Sequence, residues 1–487
     1  MVVKESYQFY SDNIPVEINI NSDPNEFVLI YEVKISQISA NTELILDKIR
    51  FELIDKVDLG VADITNPKRY EIIKEKFKDV IISLIKRYFP DLDDKSTDFF
   101  TTYLMHKSFG LGKIELLLDD ANLEEIVINN AEEPAWVYHH KHGWLKTNIF
   151  LKNDEMIKNY AAIIGRKAGR SISSLTPLLD AQLETGDRAN ATLHPISLKG
   201  STITLRKFAV KPVTMTDLIN NRAIGLSAAS LIWTAVEFEM SSLISGGTAT
   251  GKTTILNAVC SFFPPNQRII SVEDTPEIKL PKYLHWIPMV TRLPNVEGKG
   301  EISMLDLIVN SLRMRPDRIV VGEIRRKREA ETLFEAMHTG HSVYATFHAN
   351  NAEETINRLT NPPIDVPKIL LPAISMNIVM YRNRRTGIRR VFQLAEITSE
   401  SKANVLMQFD FKSDKLLNAN RSIKLMPDLE LQTGLTPQEI SQQLKEKAEV
   451  LAWLAKKNIN EVDGIGKVMA TYYTSKENLL KFIGKNA

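Results

Sequence analysis

The chain has 487 residues, 44% of them hydrophobic and 25% charged, with a formal net charge of +1. That length predicts roughly two to four domains, and that composition supplies cores without metal or disulfide staples. The near-zero charge excludes a global electrostatic drive toward nucleic acid, although a local basic patch can hide in a neutral total; the single cysteine, Cys260, excludes an internal disulfide and a four-cysteine zinc site.

The opening stretch lacks a long apolar core and does not read as a secretory signal. No apolar run approaches the roughly 20 residues that span a bilayer. The expectation is a soluble protein of a reducing cytoplasm, one that works at a membrane only by docking on something already there. Residues 1–65 are expected to be a variable β-rich segment, because "EFVLIYEVKI" and its neighbours alternate like strands. From Pro67 the spacing turns helical in "RYEIIKEKFKDVIISLIKRYF", and Pro90 with "DLDD" ends that helix. A second helix is expected over "TDFFTTYLMHKSF", then short strands in "LEEIVINN" and "AWVYHH", a helix in "NDEMIKNYAAIIGRKAGR" and a strand in "STITLRKFAV". Residues 66–211 thus read as an α+β module, and Pro212 in "KPVT" as a domain boundary.

Beyond it, strands at 241–246, 268–273, 286–291, 318–323 and 342–347 alternate with helices, which predicts a mainly parallel sheet covered on both faces over residues 212–400. After Pro372 the pattern gives a helix, strands around "RRVFQLAEIT" and "VLMQFDF", and a helical tail from Pro437, so that 401–487 is expected to pack with the preceding domain.

The strongest chemical signal is "GGTATGKTT": Gly246, Gly247, Thr248, Ala249, Thr250, Gly251, Lys252, Thr253 and Thr254. It fits G-x-x-x-x-G-K-[ST] between an apolar strand and an apolar helix. Its backbone N–H groups would wrap phosphate, Lys252 would meet the β- and γ-phosphates, and the Thr253 hydroxyl can ligate Mg²⁺. The nearby strand ends "RIISVED" and "RIVVGEIR" place Glu273, Asp274 and Glu323 on the ligand-binding edge of the sheet, where a Mg²⁺–nucleotide site needs acids. His341 and His348 flank a short strand, and the latter can respond to a phosphate oxygen. His139, His140 and His142 in "YHHKHGW" look like metal ligands but lack a partner acid or cysteine, and an exposed hairpin is the favoured reading.

The order phosphate loop, "SVEDTPE", "RPDRIVVGEIR", "TGHSVYATFHANNAEETINRL" resembles the secretion ATPase superfamily, which powers type II and type IV secretion, type IV pili and the archaeal swimming filament (archaellum). Upstream, "LEEIVINN" and "DAQLETGDRANATLHP" resemble its N-terminal module, and the tail resembles the archaeal branch; the missing four-cysteine module and Thr250 favour the archaeal or zinc-free branch. The resemblance implies a RecA-like P-loop ATPase domain, α/β in class, with a separate α+β N-terminal domain. It implies Glu273 as the residue that activates water, Glu323 acting on Mg²⁺ through water, and His348 sensing the γ-phosphate. Arg188 and Arg206 match arginines that reach ATP from the N-terminal module; arginine fingers elsewhere are worth about 10³–10⁵ in rate. It further implies a homo-hexamer at the cytoplasmic membrane, a polytopic membrane platform protein as partner, and no direct nucleic-acid contact. A nucleic-acid translocating motor and a nucleotide switch are the competing readings, and the absence of Asn-Lys-x-Asp or Thr-Lys-x-Asp argues against guanine recognition.

Overall fold

A computed structural model describes residues 2–35, 38–56, 67–183, 185–207, 211–294 and 298–485. Residues 57–65 of the expected amino-terminal segment, and 208–210 before the expected linker, lie outside them. The chain divides into two compact units, Met1–Val210 and Lys211–Ala487.

The first unit runs β1 (Val2–Ser11), β2 (Ile14–Ser22), β3 (Ile30–Lys34), α1 (Ala40–Lys56), α2 (Pro67–Tyr88), α3 (Asp94–Phe109), α4 (Lys113–Asp119), β4 (Leu123–Ile128), β5 (Trp136–His139), β6 (Gly143–Thr147), α5 (Asp154–Lys167), β7 (Leu178–Gln182), β8 (Arg188–Thr192) and β9 (Thr202–Arg206). Its strands form one nine-stranded sheet in the order β1-β2-β3-β6-β5-β4-β9-β8-β7. Pairing is antiparallel except between β3 and β6. Two expectations change here. Residues 40–56 are helical, because Leu46, Ile49 and Leu53 recur at helical spacing and are all buried on one face. The first strands are also no separate segment: Ile18, Ile20 and Tyr31 share one core with Val137 and Leu145.

The second unit runs α6 (Met215–Asn220), α7 (Leu226–Glu237), β10 (Ser242–Gly246), α8 (Lys252–Cys260), β11 (Arg268–Glu273), β12 (His285–Val290), α9 (Met304–Leu312), β13 (Arg318–Val321), α10 (Lys327–His338), β14 (Ser342–Phe347), α11 (Ala352–Thr360), β15 (Met376–Arg382), β16 (Arg389–Ile397), β17 (Ala403–Asp410), β18 (Lys415–Asn418), α12 (Leu425–Thr433), α13 (Pro437–Lys456) and α14 (Val462–Lys485). The sheet order is β12-β11-β13-β14-β10-β15-β16-β17-β18. It is parallel from β12 to β15 and antiparallel from there to β18. Successive strand residues point to opposite faces. Ile244, Val320 and Tyr344 accordingly enter a core with α7, α8 and α13, while Leu243, Ile319 and Val343 enter another with α9, α10 and α11. The result is a RecA-like α/β layer structure. The expected helix just after Pro372 is instead the strand β15. "MNIVMYR" is buried along most of its length beside β10, so it lacks the alternation that marks a strand in sequence. The tail helix α13 begins where its sequence signals place it, with Pro437 in the first turn and a Thr436–Glu439 capping box. Among the described residues, no helix is long and apolar enough to cross a membrane.

Candidate active site

Four neighbouring parallel strands, β11, β13, β14 and β10, bring their carboxyl ends to one edge of the sheet. Glu273 ends β11, Glu323 follows β13 by one glycine, His348 follows β14, and the phosphate loop follows β10. The insertion of β14 between β10 and β13 sets His348 between loop and acid.

The loop is tightly wound. Gly251 has φ +91° and Ala249 φ +59°, the left-handed backbone that lets successive N–H groups converge on an anion. A Cβ at Gly246 would stand 2.5 Å from Thr250 Oγ1 and 2.9 Å from the Met380 carbonyl oxygen, so this turn requires glycine. Thr250 Oγ1 and Lys252 Nζ each donate to the Gly247 carbonyl at 2.9 Å. From β16, Arg389 Nε donates to the Ala249 carbonyl at 3.1 Å. Nothing in the local motif announces that contact, because it comes from a strand far along the chain.

A chain of polar contacts then crosses the edge. His348 Nδ1 lies 3.5 Å from Lys252 Nζ, and its Nε2 lies 2.9 Å from Glu323 Oε1. Burial and the adjacent Lys252 ammonium hold this imidazole below the usual histidine pKa. A neutral ring with Nε2–H donating to Glu323 and Nδ1 facing the ammonium satisfies both contacts. Burial likewise lowers the pKa of Lys252, with Glu323 acting in the opposite direction. The other Glu323 oxygen accepts from Arg325 Nε at 2.8 Å and Nη2 at 2.6 Å. Arg325 Nη1 reaches Asp274 Oδ2 at 2.7 Å, and Asp274 Oδ1 accepts from Thr291 Oγ1 at 3.0 Å. Sequence reasoning gave Arg325 no role; its only signal was its place beside Glu323 in the motif.

Glu273 is differently placed. Its residue surface is 2% exposed, and burial raises its carboxyl to about 7. Oε1 accepts the backbone N–H groups of Glu277 and Ile278 at 2.9 and 3.1 Å, which limits the rise. Among the described contacts Oε2 has no protein hydrogen-bond partner. Gly322 packs against Glu273: a Cβ there would sit 3.4 Å from Glu273 Cγ, an ordinary contact distance. Thr253, in the first turn of α8, adds a hydroxyl to this edge. A hydroxyl and carboxylates make the hard oxygen set that Mg²⁺ takes, and the tight loop suits a polyphosphate.

Arg188 and Arg206 belong to the first unit. They stand directly opposite one another on β8 and β9, both exposed. Arg188 donates to Asp180 from Nε at 3.1 Å and Nη2 at 2.8 Å. That pair is about half exposed and worth at most about 1 kcal/mol, so it can open readily.

His139 is buried rather than exposed: its Nδ1 accepts the Lys141 N–H at 3.1 Å, and burial together with His140 and His142 lowers its pKa to about 4. His142 Nε2 contacts Glu5 at 2.7 Å, so a strand outside the local motif supplies the acid that sequence did not reveal. Among the described residues no group of three potential ligands could hold a metal ion. His341 lies at the opposite end of β14 from His348, against Thr339 and the Ala336 carbonyl.

A family model described as type II/IV secretion system protein matches residues 115–382. An uncharacterized protein of Methanocaldococcus jannaschii is 33% identical over 390 residues, covering 77% of this chain and 70% of its own length. A second from that organism is 40% identical over 308 residues, which is 59% of this chain and only 42% of that relative. The solved structure of the ATPase DotB from Yersinia pseudotuberculosis is 17% identical and matches 75% of this chain and 94% of its own, with a TM-score of 0.44.

Proposed function

The chain belongs to the type II/IV secretion system protein family, and from that premise we propose that it is a Mg²⁺-dependent ATPase motor for assembly of a type IV pilus-like filament or for secretion. The observation that carries this reading is the juxtaposition, on one sheet edge, of a phosphate loop with the Lys252–His348–Glu323 chain and a buried carboxylate. Lys252 would turn from the Gly247 carbonyl to the terminal phosphates. Thr253 would hold Mg²⁺ and Glu323 would orient its water, the ion supplying charge neutralisation at the phosphates. Glu273 would take the proton of the attacking water through Oε2. His348 would sense the γ-phosphate through the nitrogen now facing Lys252.

Arg188 and Arg206 would supply transition-state charge from the first unit. Like charges directly opposite across two strands destabilise a sheet, and a bound anion relieves that repulsion. A homo-hexamer acting on a polytopic membrane platform protein at the cytoplasmic face is the assembly proposed with this reading; an archaellum motor would use the same site.

Purified protein with Mg-ATP should release phosphate, and Lys252→Ala should lower that rate at least about 10²-fold, the loss expected when one preorganised charge donor is removed. Equal rates in the two proteins would sink the reading. Steeply salt-sensitive stimulation by single-stranded DNA would favour a nucleic-acid motor instead.

A further inference from the structure

Beside Glu323 lies a cavity of about 560 Å³ whose lining includes Glu323 and His348 of the reaction described above. No residue of the phosphate loop is among those lining it. Glu323, Arg325 and His348 form one wall, and Arg358, Asn357 and Asn361 contribute from α11 and its end. The cavity and the nucleotide site therefore share a partition made of three side chains.

The charge on this partition is already balanced. Glu323 presents a carboxylate whose two oxygens are engaged, one by His348 and the other by Arg325. An anion approaching from either side meets a compensated acid. Among the other lining residues, Arg358 lies 6.0 Å from the Phe347 ring centre, and its ion pair with Glu354 is long at 3.7 Å. Its guanidinium is half exposed, so donors remain for an oxyanion. Two side-chain amides stand beside it. The volume lies within the usual range for small-ligand pockets, and exceeds what one tightly held ion needs. It suits a hydrated ion in transit.

We propose that this cavity is an exit site for inorganic phosphate, which leaves past Glu323, Arg325 and His348 while ADP still fills the phosphate loop. The proposal rests on the ATPase reading. Hydrolysis converts ATP and water to ADP and phosphate, and the phosphate is freed on the Lys252–His348 side, next to the partition. Arg358 then offers the first cation beyond it.

The test uses the full chain. With Mg-ADP saturating, the phosphate loop is occupied, and titrated inorganic phosphate should still bind. Arg358→Gln should weaken that binding about tenfold, because charge-assisted bonds to oxyanions are the strong ones. In single turnovers, Arg358→Glu should delay phosphate appearance, read with a fluorescent phosphate sensor. Quenched-flow cleavage in the same mixture separates slow exit from slow chemistry. Phosphate that binds only in competition with ADP, together with wild-type release in both variants, would overturn the proposal. If the wild-type protein cleaves no ATP, the function reading falls, and the titration on the ADP complex still decides the cavity. Arg358 is exposed enough that neither change threatens the fold, which circular dichroism would verify.

Discussion

Glu273→Gln should retain nucleotide binding and lower ATP turnover about 10²–10⁴-fold, the range a positioned base supplies. The substitution keeps size and the backbone contacts to Oε1 while removing the ability to accept a proton. The pH dependence gives an independent reading. The carboxyl rises from 4.5 to about 7 because burial penalises its charged form. A base works only when ionised, so a raised pKa carries the loss of activity to higher pH. kcat/KM should therefore fall as pH drops through about 7. It should not hold until pH 4 to 5, where an exposed glutamate titrates (about 4.3). The Gln variant's residual rate should lack this limb. Binding is followed with a fluorescent ATP analogue and turnover by phosphate release. An unperturbed acid limb, or a Gln variant at wild-type rate, would remove Glu273 from the chemistry.

The second large effect is on stability. Lys447, on α13, is fully buried. Its ammonium pairs with Glu237 at the end of α7, donates to Thr234 Oγ1 at 2.8 Å, and lies 5.7 Å from the Trp233 ring centre. Burial pulls its pKa down, and Glu237 opposes that. The two partners are unequal: the Lys447 side chain is 0% exposed and that of Glu237 22%. Glu237→Gln would strand a buried cation and should cost about 3–5 kcal/mol, the range for breaking a buried pair. Lys447→Met keeps most of the buried stem and leaves a carboxylate that can recover water, so its cost should be smaller. Combining the two should restore part of the loss, since no unpaired charge remains. Urea unfolding followed by tryptophan fluorescence would rank the three variants. A Glu237→Gln protein as stable as wild type would refute the pair's role. Helix α7 precedes β10, so this pair ties the carboxy-terminal tail to the element that leads into the phosphate loop.

The candidate nucleotide edge was largely legible in sequence because the chemistry proposed for it demands fixed residue types at fixed spacing. Gly246, Gly251 and Lys252 announce a phosphate loop by themselves, and the parallel-sheet pattern assigns Glu273, Glu323 and His348 to its edge. What stayed hidden depends on distant partners. Arg325 joins Asp274 to Glu323 only once β11 and β13 lie side by side. Arg389 reaches the Ala249 carbonyl only because β15 and β16 continue the sheet beyond β10. β15 was hidden for another reason: a strand buried within a sheet carries no alternation. In α1, a short apolar spacing was compatible with two periods, and burial of Leu46, Ile49 and Leu53 selects the helix.

The contact chain from Lys252 to Asp274 has a consequence for electroneutrality. Lys252 and Arg325 carry two positive charges and Glu323 and Asp274 two negative ones, and burial with the Lys252 ammonium beside it disfavours a charge on the histidine between them. These five groups therefore sum to zero. A magnesium nucleotide arrives with surplus negative charge. A donor that Arg325 lends to phosphate leaves a carboxylate behind, and one that Lys252 lends leaves the Gly247 carbonyl, so these five groups can redistribute charge without increasing it. The surplus must be met by cations imported from outside the set.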